Sequence, residues 1–153
     1  MATRPTKTIV VDASVATKWH LKDEDHCDLA TIIIEDFAQG RLKLVAPEHI
    51  RYEVPSAITA ATLGRKPRIT QEKGKEAIAE FLALGISTVR DSALILAAYP
   101  LVHQYGCALY DAIYLALAQR LGAQLITADS KLHRLIGDTP HILWIGDYSS
   151  IEE

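Results

Sequence analysis

Thr8-Ile-Val-Val-Asp12 and Gln124-Leu-Ile-Thr-Ala-Asp129 are the two stretches that decide the fold. In each, a short run of apolar and β-branched residues predicts a strand, and an acid follows the strand closely. Runs of the same kind at residues 42–46, 86–89 and 142–145 predict three more strands. The sequence therefore predicts five short strands, two of which lead directly to a carboxylate.

Helical patterns fill the spaces between these strands. Regular alternation of strand and helix predicts right-handed crossovers and a mostly parallel sheet with helices on both faces. We therefore place the chain in the α/β class and predict a three-layer α/β/α sandwich. Glycines in the left-handed conformation are expected to end the helices. These glycines are Gly40, Gly64, Gly85, Gly106, Gly122 and Gly137.

Prolines and capping residues predict where the helices begin. Pro47 suits the first turn of a helix that runs to about Leu63, and Pro55 should kink or split that helix. Thr70 is expected to cap the next helix, and Asp91 is expected to cap a helix over residues 92–105.

The bulk composition indicates one globular domain over residues 1–153, with 49% hydrophobic and 23% charged residues. The longest uncharged apolar stretch, residues 93–101, is far shorter than the roughly 20 residues that span a bilayer, so we expect a cytoplasmic protein. Neither Cys27 nor Cys107 belongs to a C-x-x-C pair, which argues against a zinc site. A net charge of −3 argues against nucleic-acid binding by global electrostatics.

Four acids are the candidate chemical groups. Ligands of open α/β sheets bind beyond the carboxyl ends of the strands, where Asp12 and Asp129 stand, although either acid alone is explained as a helix N-cap. Asp111 interrupts the apolar stretch 107–118, where a buried acid needs a partner, and either capping of the helix start or a bound cation explains it. Glu53, taken alone, is explained either as an acid that faces solvent or as the partner of His49 or Arg51 in an ion pair. All four are explained together if they bind a hard divalent cation.

Four segments in order resemble the PIN domain, particularly VapC-type toxins, over nearly the whole chain. They are Asp12-Ala-Ser-Val-Ala-Thr-Lys-Trp-His-Leu, Tyr52-Glu-Val, Tyr110-Asp-Ala-Ile-Tyr-Leu-Ala-Leu-Ala and Thr127-Ala-Asp-Ser-Lys-Leu. The resemblance implies a sheet order of 3-2-1-4-5 and a metal-dependent endoribonuclease. It implies Mg²⁺ or Mn²⁺ as cofactor, with Asp12, Asp111 and Asp129 as metal ligands and Glu53 as a ligand or as the base that orients water. It also implies a small antitoxin as partner and a homodimer.

One position departs from the family pattern. The family often has Asn three residues after the glutamate, and here Ser56 stands there, preceded by Pro55. The helix geometry around Glu53, and therefore its role, is the part of the site that the resemblance defines least.

Several neighbours of the acids are candidates for supporting roles. Ser14, Thr127 and Ser130 are expected either to hydrogen-bond the acids and metal-bound water or simply to form caps and turns. The basic stretch 64–68 suggests a contact with RNA or an acidic partner, with plain solvation as the alternative. Lys18 and Lys131 are better placed for a phosphate contact, and no histidine is assigned to catalysis.

Other functions on an α/β sheet fit less well. A haloacid-dehalogenase-like phosphatase needs a second Asp where Ser14 stands, and a receiver domain needs an acidic pair at Asp12 and a phospho-acceptor where Arg90 stands. No glycine-rich turn follows the first strand, which excludes dinucleotide binding. A catalytically idle module of the same fold that binds RNA or protein remains the alternative.

Overall fold

A computed structural model of the chain describes residues 6–151. Within them, five strands form one parallel sheet in the order β3-β2-β1-β4-β5, which confirms the predicted order and class. The strands are β1 (Lys7–Val11), β2 (Leu42–Pro47), β3 (Ser87–Val89), β4 (Gln124–Thr127) and β5 (Ile142–Trp144).

Helices connect the strands and cover the sheet. The α-helices are α1 (Ala13–Ala16), α2 (Cys27–Ala38), α3 (Ile50–Ala61), α4 (Gln71–Ala83), α5 (Ile95–Tyr105), α6 (Leu109–Leu121) and α7 (Ser130–Ile136). Short 3-10 turns cover Thr17–Trp19, Asp91–Ala93 and Ile145–Asp147. The chain adds strands in one direction from β1 to β3 and in the other from β4 to β5. Because crossovers between parallel strands are right-handed as a rule, this reversal places helices on both faces of the sheet. No helix within residues 6–151 is long and apolar enough to cross a bilayer.

The core fixes α6 against the middle of the sheet. Ile9 and Leu125 on the central strands are fully buried, and so are Tyr114, Leu115 and Leu117 on α6. Each such aliphatic side chain contributes roughly 1.5–3 kcal/mol by burial. Because α6 is anchored over β1, β2 and β4, the acid in its first turn is held near the carboxyl ends of those strands.

The predicted start of α3 is wrong, and so is a split at Pro55. Pro47 ends β2 instead of starting a helix, and α3 begins at Ile50 and ends at Ala61. The helix continues through Pro55 as one element, which leaves a kink as the form that the predicted effect of Pro55 can take. Pro55 deprives only the carbonyl of Arg51 of its usual donor, and Arg51 is exposed, so water can replace that bond.

Thr70 caps α4 as predicted, because its hydroxyl accepts the backbone N–H of Lys73 at 3.2 Å. Two other predicted helix boundaries, at Asp91 and at Gly137, differ from the structure. Asp91 does not cap a helix, because its carboxylate bonds His49 and α5 begins only at Ile95. Gly137 ends α7 with φ −64°, not in the left-handed conformation.

Candidate active site

The candidate site lies where the strand order reverses, between β1 and β4. Asp12 directly follows β1, and its backbone N–H donates to the carbonyl of Ile126 on β4 at 3.1 Å. Asp129 follows β4 by two residues, while α3 and α6 bring Glu53 and Asp111 from the flanks. Each acid thus comes from a different element beside the same pair of strand ends.

Asp12 is a buried acid whose carboxylate accepts two hydroxyl hydrogen bonds. Its Oδ2 atom receives Ser14 Oγ at 2.6 Å and Thr127 Oγ1 at 2.8 Å, and the residue is 5% exposed. Burial raises the pKa of Asp12 to about 6 although both hydroxyls lower it, and the charges of Glu53 and Asp111 add to the rise. The side chain makes no capping bond to α1, so the N-cap explanation is wrong for Asp12.

Asp111 stands in the first turn of α6, where Ala108 occupies the N-cap position. Within residues 6–151 no hydrogen bond reaches its carboxylate. Burial raises the pKa of Asp111, and the charges of Asp129 and Glu53 raise it further, against the opposing charges of His49 and Lys131. A half-buried carboxylate among other carboxylates is a group that a cation would stabilise.

Glu53 is held by two side chains that the sequence did not identify as part of a site. His49 Nε2 lies 2.9 Å from Glu53 Oε1, as an ion-pair contact and not a well-aligned hydrogen bond, and Tyr114 Oη donates to the same oxygen at 2.9 Å. The ion pair with His49 was one of two proposed explanations for Glu53, and the pair is present. On its other side, His49 Nδ1 lies 2.8 Å from Asp91 Oδ1.

The position of His49 between Glu53 and Asp91 raises its pKa. Burial lowers the pKa of the imidazole, but the contacts with Glu53 and Asp91 outweigh burial and leave it above its ordinary value. The sequence suggested His49 only as an ion-pair partner of Glu53, and the signal for that contact is its spacing, four residues before Glu53. Tyr114 carried no such signal, because it lies within an apolar run.

Asp129 does cap a helix. Its Oδ1 atom accepts the backbone N–H groups of Lys131 at 3.0 Å and Leu132 at 3.1 Å at the start of α7. The N-cap explanation is therefore confirmed for Asp129. The same charge raises the pKa of Asp111, so capping and membership of the acidic group coexist.

Among the proposed supporting hydroxyls, two contact the acids. Ser14 Oγ, besides bonding Asp12, accepts the backbone N–H of Ala128 at 2.9 Å, and Thr127 Oγ1 accepts that of Asp129 at 3.1 Å. These bonds tie the loop after β1 to the loop after β4. Ser130 is exposed, and its hydroxyl bonds none of the four acids in the described part of the chain.

The four acids interact electrostatically but do not form a closed cage. In residues 6–151, no three His, Cys, Asp or Glu side chains are grouped closely enough to hold a metal ion as they stand. The chemistry of the four acids still suits a hard cation, because every donor is a carboxylate oxygen.

Two openings meet at Glu53. One groove, of about 730 Å³, includes Tyr52 and Tyr110, which are 77% and 63% exposed. A smaller hollow of about 340 Å³ includes Ser14 and Lys18. A polymer lying across Glu53 would therefore meet exposed aromatic rings on one side and, on the other, Lys18, which is 8% exposed and paired with Glu24.

One of the three basic residues in the loop after α3, Arg68, is paired with acids of the same chain. Arg68 Nε donates to Asp23 Oδ2 at 2.8 Å, and Arg68 Nη2 donates to Glu24 Oε2 at 3.1 Å. Glu24 Oε1 also lies 3.4 Å from Lys18 Nζ. Arg68 thus binds an acidic segment of its own chain, while Arg65 and Lys66 remain exposed.

Comparison with known proteins defines the family. The sequence model of the PIN domain matches residues 9–137. The chain therefore belongs to the PIN domain family, as the four motifs predicted. No curated protein matches the chain at a significant level.

Solved structures agree with this fold. VapC20 of Mycobacterium tuberculosis, a toxin that cleaves the sarcin-ricin loop, has a TM-score of 0.60 at 15% identity, covering 82% of this chain and 93% of that one. VapBC2 of Rickettsia felis, solved with a DNA fragment from its promoter, gives 0.60 at 15% identity, covering 90% and 96%. PAE2754 of Pyrobaculum aerophilum gives 0.62 at 18% identity, covering 92% and 85%.

Proposed function

We propose that this protein is a Mg²⁺- or Mn²⁺-dependent endoribonuclease, the toxin of a VapBC-type pair, acting in the cytoplasm. The observation that carries the proposal is the electrostatic coupling of four acids from four elements around the reversal of the sheet. The charges of Glu53 and Asp111 act on Asp12, and those of Glu53 and Asp129 act on Asp111. Perturbed acids clustered in a cleft are typical of functional sites.

The residues present fit a divalent cation. Hydrogen bonds occupy Oδ2 of Asp12 and Oε1 of Glu53, which leaves the other oxygen of each carboxylate for a metal. Asp111 offers both oxygens, and Asp129 offers the one that does not cap α7. A cation would also relieve the repulsion and burial that raise the pKa of Asp12 and Asp111.

Bound Mg²⁺ or Mn²⁺ would supply an activated water and offset the charge of the phosphodiester. The chain's own groups do the rest. Ser14 and Thr127 hold the Asp12 carboxylate in place, Glu53 orients the attacking water, and Lys18 contacts a phosphate from the smaller hollow. Tyr52 and Tyr110 are placed to contact the neighbouring nucleotides.

Asp111→Asn tests the proposal. Purified wild-type protein should cleave RNA in Mg²⁺ or Mn²⁺, whereas the variant should lose at least about 100-fold in rate, because one metal-binding charge is gone. Asp138→Asn is the matched control, an equivalent change at an exposed acid after α7, and should keep the wild-type rate. Gel analysis of a labelled RNA measures the cleavage rates of the wild-type protein and of both variants.

The result would decide between the enzyme and the idle module. RNA binding by the wild-type chain with no cleavage in either metal, and with no difference between the two variants, would favour the idle module.

We further propose a small antitoxin as the natural inhibitor. Its segment would lie in the groove beside Glu53, with an arginine paired to the acids and apolar side chains against Tyr52 and Tyr110. A second copy of the chain is the other proposed partner. Leu96 and Tyr99 on α5, 88% and 61% exposed, are apolar side chains that a homodimer contact could bury.

Growth measurements test the toxin proposal. Expression of the wild-type chain alone should slow growth, Asp111→Ala should not, and co-expression of the small protein encoded beside the gene should restore growth and co-purify. Harmless expression of an active, folded chain would refute the toxin role while leaving the nuclease intact.

A further inference from the structure

His49 is a buried histidine between two carboxylates. It is 4% exposed, at the junction of β2 and α3, with Nδ1 facing Asp91 Oδ1 at 2.8 Å and Nε2 facing Glu53 Oε1 at 2.9 Å. Its ring also packs edge-on against Tyr114, with the ring centroids 4.9 Å apart. The imidazole therefore has little freedom to turn away from either acid.

Asp91, in the turn after β3, is itself held by two contacts with the segment between β2 and α3. Its backbone N–H donates to Glu48 Oε1 at 3.3 Å, and its carboxylate also accepts the backbone N–H of His49 at 3.4 Å. These contacts join the turn after β3 to the start of α3. The polar contacts therefore run from Asp91 through His49 to Glu53, the acid whose helix contains Pro55.

The other contact of Glu53 comes from the core. Tyr114 is fully buried on α6, and its hydroxyl donates to the same Oε1 atom that faces His49. Two groups thus converge on one carboxylate oxygen, while the second oxygen accepts no hydrogen bond from residues 6–151. This arrangement selects one orientation of a long, half-exposed side chain that would otherwise sample several.

We propose that His49, held by Asp91, is a positioning residue that fixes the orientation of the Glu53 carboxylate together with Tyr114. This inference deepens the proposed function and rests on it, since it concerns how Glu53 meets the metal and the attacking water. A purely structural histidine would need a polar partner too. A purely structural role would not require His49 and Tyr114 to meet at the same oxygen of Glu53, an acid that lines the cleft.

Two substitutions at His49 separate positioning from packing. In His49→Gln, the amide nitrogen can replace Nε2 and still reach Glu53. In His49→Asn, the shorter amide can replace Nδ1 and reach only Asp91. His103→Asn, at an exposed histidine beside Tyr99, is the control for the chemical change. The measurements are kcat and KM for RNA, the Kd for Mn²⁺ alone, the melting temperature, and metal-free crystal structures.

We expect His49→Asn to lower kcat by about 10- to 100-fold and to weaken Mn²⁺ binding by about tenfold, with KM for RNA within about threefold. His49→Gln should recover at least a third of the wild-type kcat. The crystal structure of His49→Asn should show the Glu53 carboxylate turned from its wild-type orientation. Tyr114→Phe, which removes only the second donor, should weaken Mn²⁺ binding in the same direction and serves if His49→Asn does not fold.

Wild-type values for His49→Asn, or equal losses in both His49 variants that follow their melting temperatures, would overturn the positioning role. The crystal structures separate this role from the nuclease proposal. If wild-type protein neither binds Mn²⁺ nor cuts RNA, the nuclease proposal fails. A turned Glu53 in His49→Asn would then still support positioning, and an unmoved Glu53 would overturn it.

Discussion

Asp12→Asn is expected to abolish RNA cleavage and at the same time to stabilise the metal-free protein. In the proposed mechanism Asp12 binds the metal, so the loss of its carboxylate should remove several kcal/mol of transition-state stabilisation, which corresponds to roughly three orders of magnitude in rate. The asparagine can keep the contacts with Ser14 and Thr127, whose hydroxyls both donate and accept. The fold should therefore survive the change.

The stability effect has a definite sign. The folded-state pKa of Asp12 is about 6, above the ordinary 3.8, so its protonation favours folding. This contribution is fully present below pH 3.8 and is lost as the pH rises through about 6. At pH 8 the wild-type chain carries a buried charge that Asp12→Asn lacks. Because one pKa unit corresponds to about 1.4 kcal/mol, the free energy of unfolding of Asp12→Asn at pH 8 should exceed that of the wild type by up to roughly 3 kcal/mol.

Urea unfolding in EDTA at pH 8 and at pH 4.5 measures this difference. The gain should be large at pH 8 and should shrink to roughly a third of that value at pH 4.5, and Asp138→Asn should show neither effect. An Asp12→Asn variant that is less stable than wild type at pH 8 would mean that the charged acid is structural.

Metal should reverse the pH dependence of stability. Without metal, Asp12, Asp111 and His49 should each make the protein more stable at pH 5 than at pH 8, because their pKa values are raised in the folded chain. His20, whose pKa is lowered by burial, opposes them. Binding of Mn²⁺ needs ionised carboxylates, so its stabilising effect grows with pH. At a free Mn²⁺ concentration of 100 times the Kd, this stabilisation amounts to about 2.7 kcal/mol.

Melting temperatures with excess EDTA and with MnCl₂ at pH 5.5 and pH 8 test this expectation. Mn²⁺ should raise the melting temperature at pH 8 and much less at pH 5.5, and cleavage in EDTA should fall to background. Asp12→Asn should lose the Mn²⁺ shift. Undiminished cleavage in excess chelator would eliminate the metal mechanism.

The sheet was predictable from sequence because its signals are local and agree with one another. β4 has the predicted bounds, and the other strands differ by one residue at an end. The errors fall where a tertiary contact overrides a local rule. Asp91 could cap a helix, but His49 binds its carboxylate instead.

The site was predictable only in part. The acids stand at strand ends or interrupt an apolar helix, and such positions are visible in a sequence. The capping explanation, however, could not be decided there, and it is right for Asp129 and wrong for Asp12. The contact between Tyr114 and Glu53 joins residues from α6 and α3, so no sequence pattern announces it.

A crystal of the protein soaked in MnCl₂, with anomalous data collected at the manganese edge, would show whether the acids bind a divalent metal. We expect an anomalous peak in the cleft, bonded at about 2.0–2.3 Å to oxygens of Asp12 and Asp111. The peak should be absent from Asp12→Asn crystals soaked in the same way. An empty cleft in the wild-type crystal at saturating Mn²⁺, or a peak that Asp12→Asn retains, would contradict the claim that these acids bind a divalent metal.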